Sequence, residues 1–322
     1  MANTSLSRAR AAKNDEFYTL LSSVENELRF YDDALYGKTI LCNCNDGENS
    51  AFHRYFSANY QRLNLKKLIC IKYGASAYKL EITKDKGIVR TYLQGSGDFR
   101  SDECIDILKT ADIVITNPPF SLFREFLDLL YSNQKQFLIV GNLNMVVCQS
   151  VFSYFSAGKL HFGYTAVKSF SQLDGSLCSF GNTYWYSNIN MPKQNQHISL
   201  HSQYSPDKYP FYDNYPAVEV GRVTEIPNDY YGLMGVPITY LLRHNPKQFE
   251  IVGLAAGHDE LAKPYINPIQ HRQDGTTIRG SKVNDTAVIS VREKPIGIYY
   301  TADNSDGYLI CRYKRVLIKR KT

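Results

Sequence analysis

The chain has 322 residues, enough for one large or two ordinary domains, and its 43% hydrophobic and 21% charged residues are typical of a soluble globular protein. No apolar run approaches the roughly 18 residues needed to span a bilayer, which argues against a membrane protein. The first fifteen residues are polar and basic, so no secretory signal is predicted and the cytoplasm is the expected compartment.

Seven cysteines are present, an odd number, and no C-x-x-C pair occurs among them. This pattern argues against a disulfide framework and against a structural zinc site. Cys42 and Cys44 alternate along a predicted strand and are expected to be buried thiols rather than ligands. We therefore expect no metal.

The net charge of +6 is concentrated at the C-terminal end. His271–Thr322 holds 11 Lys and Arg against 5 Asp and Glu, so the remaining 270 residues are neutral overall. Basic and apolar residues interleave near the end of the chain, which predicts a strand with one cationic, solvated face. The basic residues taken as candidates for phosphate contact are Arg312, Lys314, Arg315 and Lys319. A solvated face without a partner is the alternative.

Residues 1–14 are predicted to be a flexible basic arm, followed by a helix whose apolar residues form one stripe. A strand then runs from Lys38 to Cys44, and a polar loop and a second helix follow it. A strand, a glycine-containing loop and a helix N-terminus are typical of a nucleoside-binding unit, although only one glycine is present here. His53, inside the second helix, is expected to be a core or surface residue.

A second strand is predicted from Lys66 to Tyr73, and no acidic residue closes it. Residues 75–94 form an excursion with alternating strand character. In the loop that follows, Asp98 and Phe99 are either a turn acid and a core aromatic, or a carboxylate and a ring that hold an adenine base.

The segment Ala111–Phe126 predicts a short buried strand, a rigid turn and an amphipathic helix. Two prolines fix φ in the turn and contribute no N–H donors, so its carbonyls and the Asn117 amide are left to accept hydrogen bonds from outside the chain. At the carboxyl end of a strand these groups suit a planar ring that carries an NH2 group, such as adenine. The residues of this turn are Asn117, Pro118, Pro119 and Phe120.

Another apolar strand is predicted over 136–142, and the repeated strand and helix pattern predicts a doubly wound α/β sheet with right-handed crossovers. Strand-like pieces within 145–200 are expected to form a hairpin that completes the sheet, with Trp185 in the core. Residues 200–217 are rich in Tyr and Pro and predict a linker or a surface loop. The expected division is a catalytic domain over 15–200 and a smaller C-terminal region over 201–322.

Taken together, these segments resemble the EcoRI-type adenine-specific DNA methyltransferases of bacterial modification systems. The Asn-Pro-Pro-Phe turn is only moderately specific, because methyltransferases of RNA adenine and of protein glutamine use similar turns, but the ordered set is more specific. The segments that carry the resemblance are 15–19 (DEFYT), 41–46 (LCNCND), 95–101 (GSGDFRS), 112–123 (DIVITNPPFSLF), 137–142 (FLIVGN), 212–220 (YDNYPAVEV), 230–241 (YYGLMGVPITYL), 245–253 (NPKQFEIVG) and 313–319 (YKRVLIK).

The resemblance implies a Rossmann-like methyltransferase core, a C-terminal target-recognition region and S-adenosylmethionine as the methyl donor. It implies site-specific methylation of the N6 amine of an adenine flipped out of duplex DNA, in a bacterial or phage-infected cell, with a restriction endonuclease as a further expected partner. Asn117 to Phe120 match the catalytic turn. The residues that match donor-binding positions are Phe17, Tyr18, Thr19, Asn43, Asp46, Asp98, Phe99 and Asn117.

Two departures from the family pattern concern the donor. The glycines usual in the first loop are replaced by Asn-Cys-Asn-Asp, and no acid ends the second strand to bind the ribose hydroxyls. Asp46 is the expected substitute. Two other functions stay open: an RNA adenine or protein glutamine methyltransferase with the same turn, and a catalytically inactive DNA-binding protein that kept the fold.

Overall fold

A computed structural model of the chain divides it into two compact units. Unit 1 takes the described parts of Met1–Met145 and Lys159–Asn190, and unit 2 those of Val146–Gly158 and Met191–Thr322. The predicted basic arm 1–14 and Asp46 lie outside the described residues. The residues that the structure describes are 17–45, 47–172, 175–190, 196–256 and 260–321.

Unit 1 contains both helices and strands. Its helices are α1 (Leu21–Leu28), α2 (Asp32–Leu35), α3 (Ala51–Ala58), α4 (Asp102–Thr110) and α5 (Phe123–Ser132). Its strands are β1 (Tyr18–Thr19), β2 (Thr39–Asn45), β3 (Lys67–Lys72), β4 (Tyr78–Thr83), β5 (Gly87–Tyr92), β6 (Ile113–Thr116), β7 (Gln136–Asn142), β8 (His161–Ala166), β9 (Ser169–Ser171), β10 (Leu177–Ser179) and β11 (Thr183–Ser187).

An eight-stranded sheet in the order β5-β4-β3-β2-β6-β7-β11-β8 forms the centre of unit 1. The four middle strands, β3, β2, β6 and β7, are parallel. The hairpin β4-β5 extends one edge, and β11 pairs antiparallel with both β7 and β8 at the other. The predicted α/β class, the excursion over 75–94 and the hairpin within 145–200 are therefore confirmed.

The parallel strands are almost entirely apolar and buried. Leu41, Ile69, Val114 and Ile139 have almost no exposed surface, as expected where both faces of a sheet are covered. The chain passes from β2 outward to β3, and later returns to place β6 on the other side of β2. The strand order thus reverses between β2 and β6, and at such a reversal the loops at the carboxyl ends leave a crevice for a ligand.

Several expectations about single residues are confirmed in this unit. Cys42 lies opposite Cys70 in the register of β2 and β3, and both thiols are buried and free. Trp185 is completely buried and packs edge-on against Phe52. His53 is half-buried on α3, and its ring nitrogen pairs with the Ser57 hydroxyl.

A smaller three-stranded sheet, β1-β9-β10, also belongs to unit 1. β1 pairs antiparallel with β9, which places Tyr18 opposite Ser171 and Thr19 opposite Phe170. This sheet brings the start of the described chain next to residues from 169 to 179. No helix within the described ranges is long and apolar enough to cross a membrane.

Unit 2 contains the helix α6 (Gln149–Ser156), which packs against one of its strands, β14. The strands of unit 2 are β12 (Val218–Glu219), β13 (Leu233–Pro237), β14 (Phe249–Ala255), β15 (Ile269–His271), β16 (Thr277–Arg279), β17 (Val288–Val291), β18 (Tyr299–Thr301), β19 (Tyr308–Cys311) and β20 (Arg315–Arg320). They form a four-stranded sheet, β12-β13-β20-β14, and a five-stranded sheet, β16-β15-β18-β19-β17.

The structure corrects the prediction for the C-terminal strand. β20 pairs with β13 on one side and with β14 on the other, so it is an interior strand. Val316, Leu317 and Ile318 are completely buried, and Arg315 is only 9% exposed. The predicted strand with one solvated cationic face is wrong here because both faces of this strand are covered, and only its last residues reach solvent.

The segment predicted to be a linker or surface loop also differs from expectation. It forms almost no regular structure, but its Tyr209, Tyr212 and Tyr215 are buried. Tyr212 and Tyr215 belong to a core cluster with Leu317 of β20. The low aliphatic content of this segment suggested exposure, whereas its tyrosines supply the apolar surface that covers the four-stranded sheet.

A buried carboxylate holds α1 to β8. Glu27 on α1 has no exposed surface, and its Oε1 accepts hydrogen bonds from the Tyr31 hydroxyl at 2.8 Å and the Tyr164 N–H at 2.7 Å. Its Oε2 accepts from both the N–H and the hydroxyl of Thr165, each at 2.7 Å. Burial raises the pKa of Glu27, while these donors favour its ionised form.

We expect Glu27→Ala to lower the free energy of unfolding of unit 1 by about 2–4 kcal/mol, because it leaves these donors buried without an acceptor. Urea unfolding followed by circular dichroism measures this loss. Glu25→Ala, an exposed glutamate on the same helix, is the matched control and should change the unfolding free energy by less than about 0.5 kcal/mol. Equal effects of the two substitutions would contradict a structural role for the Glu27 contacts.

Candidate functional site

The predicted turn lies at the carboxyl ends of the parallel strands β2 and β6. At the start of β6, the Asp112 carboxylate accepts from the Thr39 N–H at 2.8 Å, and the Asp112 N–H donates to the Thr39 carbonyl at 3.0 Å. At its end, the Thr116 hydroxyl donates to the carbonyl of Asn43. These contacts fix β6 against β2 and place the turn beside the loop that follows β2.

The Asn117 side chain is buried, with 8% of its surface exposed, and its amide is held in one orientation. Its Nδ2 donates to the carbonyl oxygen of Phe17 at 2.5 Å. Its Oδ1 is buried and accepts no hydrogen bond from the described residues. Rotating the amide by 180° would set two acceptor oxygens against each other, so the carbonyl of Phe17 leaves Asn117 Oδ1 as an acceptor for a ligand.

The carbonyl of the second proline, Pro119, is already used within the chain. The Pro119 carbonyl accepts from the Leu122 N–H at 3.0 Å, which closes a short turn before α5. Pro118, the residue after Asn117, is buried. The carbonyl of Pro118 is therefore the turn's second candidate acceptor beside Asn117 Oδ1.

Four phenylalanines pack together next to this turn. The Phe120 and Phe17 rings lie at 29° to each other with centroids 6.2 Å apart, and the Phe17 and Phe180 centroids are 4.6 Å apart. Phe170 lies 6.1 Å from Phe120 and 5.5 Å from Phe180. Phe120 is only 6% exposed, so the other three rings cover most of it.

The predicted donor-binding pair Asp98 and Phe99 follows a glycine that no other residue could easily replace. Gly97 has φ of +76°, and a Cβ there would lie 2.9 Å from the Lys72 carbonyl. The Asp98 carboxylate accepts from the Arg100 Nη2 at 2.6 Å and Nε at 2.9 Å, and these hydrogen bonds lower the pKa of Asp98. Asp98 is therefore a half-exposed, ionised acceptor in the loop between β5 and α4.

Phe99 is packed in the core of unit 1. Its ring is 5% exposed and packs edge-on against Phe126 of α5, with centroids 4.9 Å apart. In this structure the ring anchors the loop, and its neighbour Asp98 is the more exposed member of the pair. This burial fits the expectation of a core aromatic, and contact of Phe99 with the donor adenine stays a prediction.

The loop after β2 is ordered by its own capping contacts. The Ser50 side chain accepts from the His53 N–H at 3.1 Å and caps α3, while its hydroxyl donates to the Gly47 carbonyl at 2.9 Å. Asn43, a predicted donor contact, is buried at the end of β2. Asp46, which was expected to bind the donor ribose, lies outside the described residues.

The element predicted to hold the donor's methionine end reaches the same site. Phe17 contacts Asn117 and Phe120, as described above. Tyr18 is half-buried in β1, and Thr19 is buried with an Oγ1 that has no partner among the described residues. The structure thus brings 17–19, Asn43 and the turn 117–120 together.

Helix α5 is positioned by close contact with β7. A Cβ on Gly141 would overlap the Phe123 ring, so only glycine leaves room for Phe123 at the start of α5. Phe123 itself is completely buried. This contact sets where the helix after the turn begins, and with it the position of the turn.

The predicted DNA-contacting residues all lie in unit 2. Lys319 is exposed and Lys314 is half-buried, while the Arg312 side chain is 40% exposed, with its Nε 4.0 Å from Glu219 Oε1. Arg315 is different, because its Nη2 lies 2.6 Å from Glu219 Oε1 and its Nε 3.2 Å from Oε2. This buried pair already occupies the guanidinium, so Arg315 is withdrawn from the phosphate-contacting set.

Three participants in the site were missed by the sequence analysis. Phe170 and Phe180 lie in or beside the short strands β9 and β10, and only their alternation with polar residues could have indicated a buried pair. The backbone carbonyl of Phe17 carries no sequence signal. Within the ranges the structure describes, no group of three or more His, Cys, Asp or Glu side chains is arranged to hold a metal ion.

Residues 5–321 match the family described as "Adenine-specific methyltransferase EcoRI". The type II methyltransferase M.MgeORF184P of Mycoplasma genitalium is 42% identical over 280 residues, covering 80% of this chain and 86% of that protein. M.EcoRI of Escherichia coli is 36% identical over 297 residues, covering 80% and 91%. M.MpnI of Mycoplasma pneumoniae is 36% identical over 320 residues, covering 90% and 98%. No solved structure matches the chain.

We expect Gly141→Ala to destabilise unit 1 by about 1–3 kcal/mol, because the added methyl group overlaps the Phe123 ring. Thermal unfolding measures the loss. A second substitution, Phe123→Leu, should restore part of the stability of the Gly141→Ala variant by removing the overlapping ring atoms. Gly95→Ala is the control, since its Cβ would meet nothing closer than 3.9 Å. Additive destabilisation in the double variant would contradict this contact.

Proposed function

The chain belongs to the EcoRI family of adenine-specific methyltransferases, and from that premise we propose that it methylates the N6 amine of an adenine flipped out of duplex DNA. The observation that carries the proposal is the oriented Asn117 carboxamide. Its Oδ1 is buried and accepts no hydrogen bond from the described residues, and the next residue, Pro118, offers a backbone carbonyl. Two acceptors on consecutive residues suit the two hydrogens of an amine.

The residues present also fit S-adenosylmethionine, the donor that the family implies. Asp98 offers an ionised carboxylate that can accept from an adenine amine, and Thr19 offers the methionine end a buried hydroxyl that has no partner within the described ranges. Asn43, near the end of β2, is a further buried polar residue assigned to the donor. When bound, the donor supplies a methyl group on a positively charged sulfur. Asp46 remains our proposal for the ribose hydroxyls.

The turn acts on an amine that is a poor nucleophile, because its lone pair is delocalised into the adenine ring. Asn117 Oδ1 and the Pro118 carbonyl would each accept one N–H, which favours a tetrahedral nitrogen with its lone pair directed away from the turn. As positive charge develops on N6, the two carbonyl dipoles already point at it. Preorganised electrostatics and the alignment of N6 with the methyl group therefore account for the rate enhancement. Asn117 is no strong base, and the proton leaves N6 to water.

A base inside a duplex cannot reach this turn, so it must be flipped out at a cost of about a few kcal/mol. Stacking on an aromatic ring is worth about 1–3 kcal/mol per base and would offset much of that cost. Because Phe17, Phe170 and Phe180 cover Phe120, we propose that the incoming adenine displaces part of this cluster and stacks in its place. In the complex, the base would contact Phe120 where another phenylalanine ring contacts it in this structure.

The remaining assignments rest on the family and on charge. We propose that the parallel sheet of unit 1 is a Rossmann-like methyltransferase core and that unit 2 contacts DNA through Arg312, Lys314 and Lys319. An origin in a bacterial or phage-infected cell, a cytoplasmic location and a cognate restriction endonuclease are proposed from the same family relationship. The alternatives are methylation of RNA adenine or protein glutamine, which the same turn would serve, and an inactive DNA-binding protein.

We expect Asn117→Ala to lower the methylation rate by about 10²–10³-fold and donor affinity far less, because the lost acceptor acts on the amine while the other residues assigned to the donor remain. Single-turnover methylation and calorimetry with S-adenosylmethionine measure the two quantities. Asn26→Ala, an exposed position on α1, is the matched control and should leave both unchanged. Near-normal turnover of Asn117→Ala would contradict the mechanism.

Substrate class is tested by offering the protein duplex DNA, RNA of the same sequence and a release-factor-like protein with labelled donor. Because the family is adenine-specific and the C-terminal end is cationic, we expect label in N6-methyladenine of duplex DNA only. Label in RNA or protein would favour the rival methyltransferase. Donor binding without transfer to any of the three would favour the inactive DNA-binding protein.

A further inference from the structure

Unit 2 exposes an unusual apolar loop between β17 and β18. Ile296 is fully exposed and Ile298 is 57% exposed, although isoleucine is among the residues most often buried. Gly297 between them has φ of +101°, and Pro295 restricts the backbone just before them. The two side chains therefore lie on a short turn that joins two strands and whose backbone conformation is restricted.

The base of this loop is braced by stacked rings. The Lys294 ammonium lies 5.8 Å from the centroid of the Tyr299 ring, and Tyr299 stacks on His271 with centroids 4.5 Å apart at 7°. Tyr299 is buried at the start of β18. Such support keeps the apolar turn projecting from the sheet and brings a cation next to it.

A cavity of about 690 Å³ adjoins the same loop, with Ile298 in its wall. Lys282, Arg312 and Lys314 also line it, and Asp285 is the one acidic residue among the described residues of that lining. Tyr313, another lining residue, has 84% of its surface exposed. Cations interleaved with exposed apolar and aromatic side chains are typical of surfaces that bind nucleic acid.

We propose that loop 292–298 inserts Ile296 and Ile298 between stacked base pairs of a bound duplex, while Lys282, Arg312 and Lys314 hold the neighbouring phosphates. Apolar side chains that enter a groove in this way unstack a base step and kink the duplex. The inference rests on the proposed function, which supplies duplex DNA as the partner of this loop. A second copy of this chain is a poorer occupant, because two cationic surfaces repel each other.

The test uses the full chain and a double variant, Ile296→Ser with Ile298→Ser. The control is Ile88→Ser with Val89→Ser, two exposed aliphatic residues on the edge strand β5 of unit 1. A relaxed plasmid is treated with topoisomerase in the presence of each protein, since side-chain insertion unwinds DNA and changes the linking number. We expect the unmodified chain and the control to shift the topoisomer distribution and the loop variant not to shift it.

A second measurement separates the loop from the cations. Binding is measured on a mixed-sequence duplex of about 30 base pairs, the length of a large protein site. The loop variant should bind this duplex at least about tenfold more weakly than the control, while the slope of log K against log salt stays unchanged. A Lys282→Gln and Lys314→Gln variant should instead flatten the slope of log K against log salt by about 2. Circular dichroism confirms that each variant is folded.

The inference is overturned if the loop variant unwinds and binds DNA as the control does, or if it differs from the control only in self-association. The proposed function is tested separately, by mass spectrometry of N6-methyladenine in DNA treated with the unmodified chain. If the unmodified chain methylates DNA but the loop variant unwinds and binds DNA as the control does, only the inference is overturned. Absence of methylation by the unmodified chain overturns the proposed function.

Discussion

The hydrogen bond from the Asn117 side chain to the carbonyl of Phe17 determines what the site can do. A carboxamide has a donor end and an acceptor end, and a free one would present either to a ligand. Because the Phe17 carbonyl accepts from Nδ2, the oxygen is fixed as the buried end, without a partner in the described part of the chain. The same contact joins the element at 17–19 to the turn, so residues assigned to the donor and residues assigned to the target base belong to one assembly.

The fold of unit 1 supports this contact from several directions. The parallel strands β2 and β6 are held in register by Asp112 and Thr39 at one end and by Thr116 and Asn43 at the other. Phe123 seated on Gly141 sets the start of α5 after the turn. Each of these close contacts restricts movement of the turn, and preorganised electrostatic catalysis requires such fixed positions. The aromatic cluster around Phe120 is the part of the site that must rearrange when a base enters.

Sequence patterns predicted the parallel strands and the turn because their signals are local. Runs of buried aliphatic residues and two consecutive prolines report directly on the backbone that they form. Burial of a charged or aromatic side chain depends instead on distant partners. Arg315 was expected in solvent, but Glu219, nearly a hundred positions away along the chain, pairs with it inside the four-stranded sheet. Tyr209 was expected at the surface for the same reason, and no residue type identifies the Phe17 carbonyl as a partner.

The most direct test of the proposed mechanism is a crystal structure of the protein with S-adenosylhomocysteine and a duplex that contains a mapped methylation site. We expect an extrahelical adenine whose N6 lies within about 2.7–3.2 Å of both Asn117 Oδ1 and the Pro118 carbonyl oxygen, with Asn117 Nδ2 still bonded to Phe17. An adenine that remains stacked in the duplex, or an N6 held by other groups with Asn117 rotated away from Phe17, would contradict it.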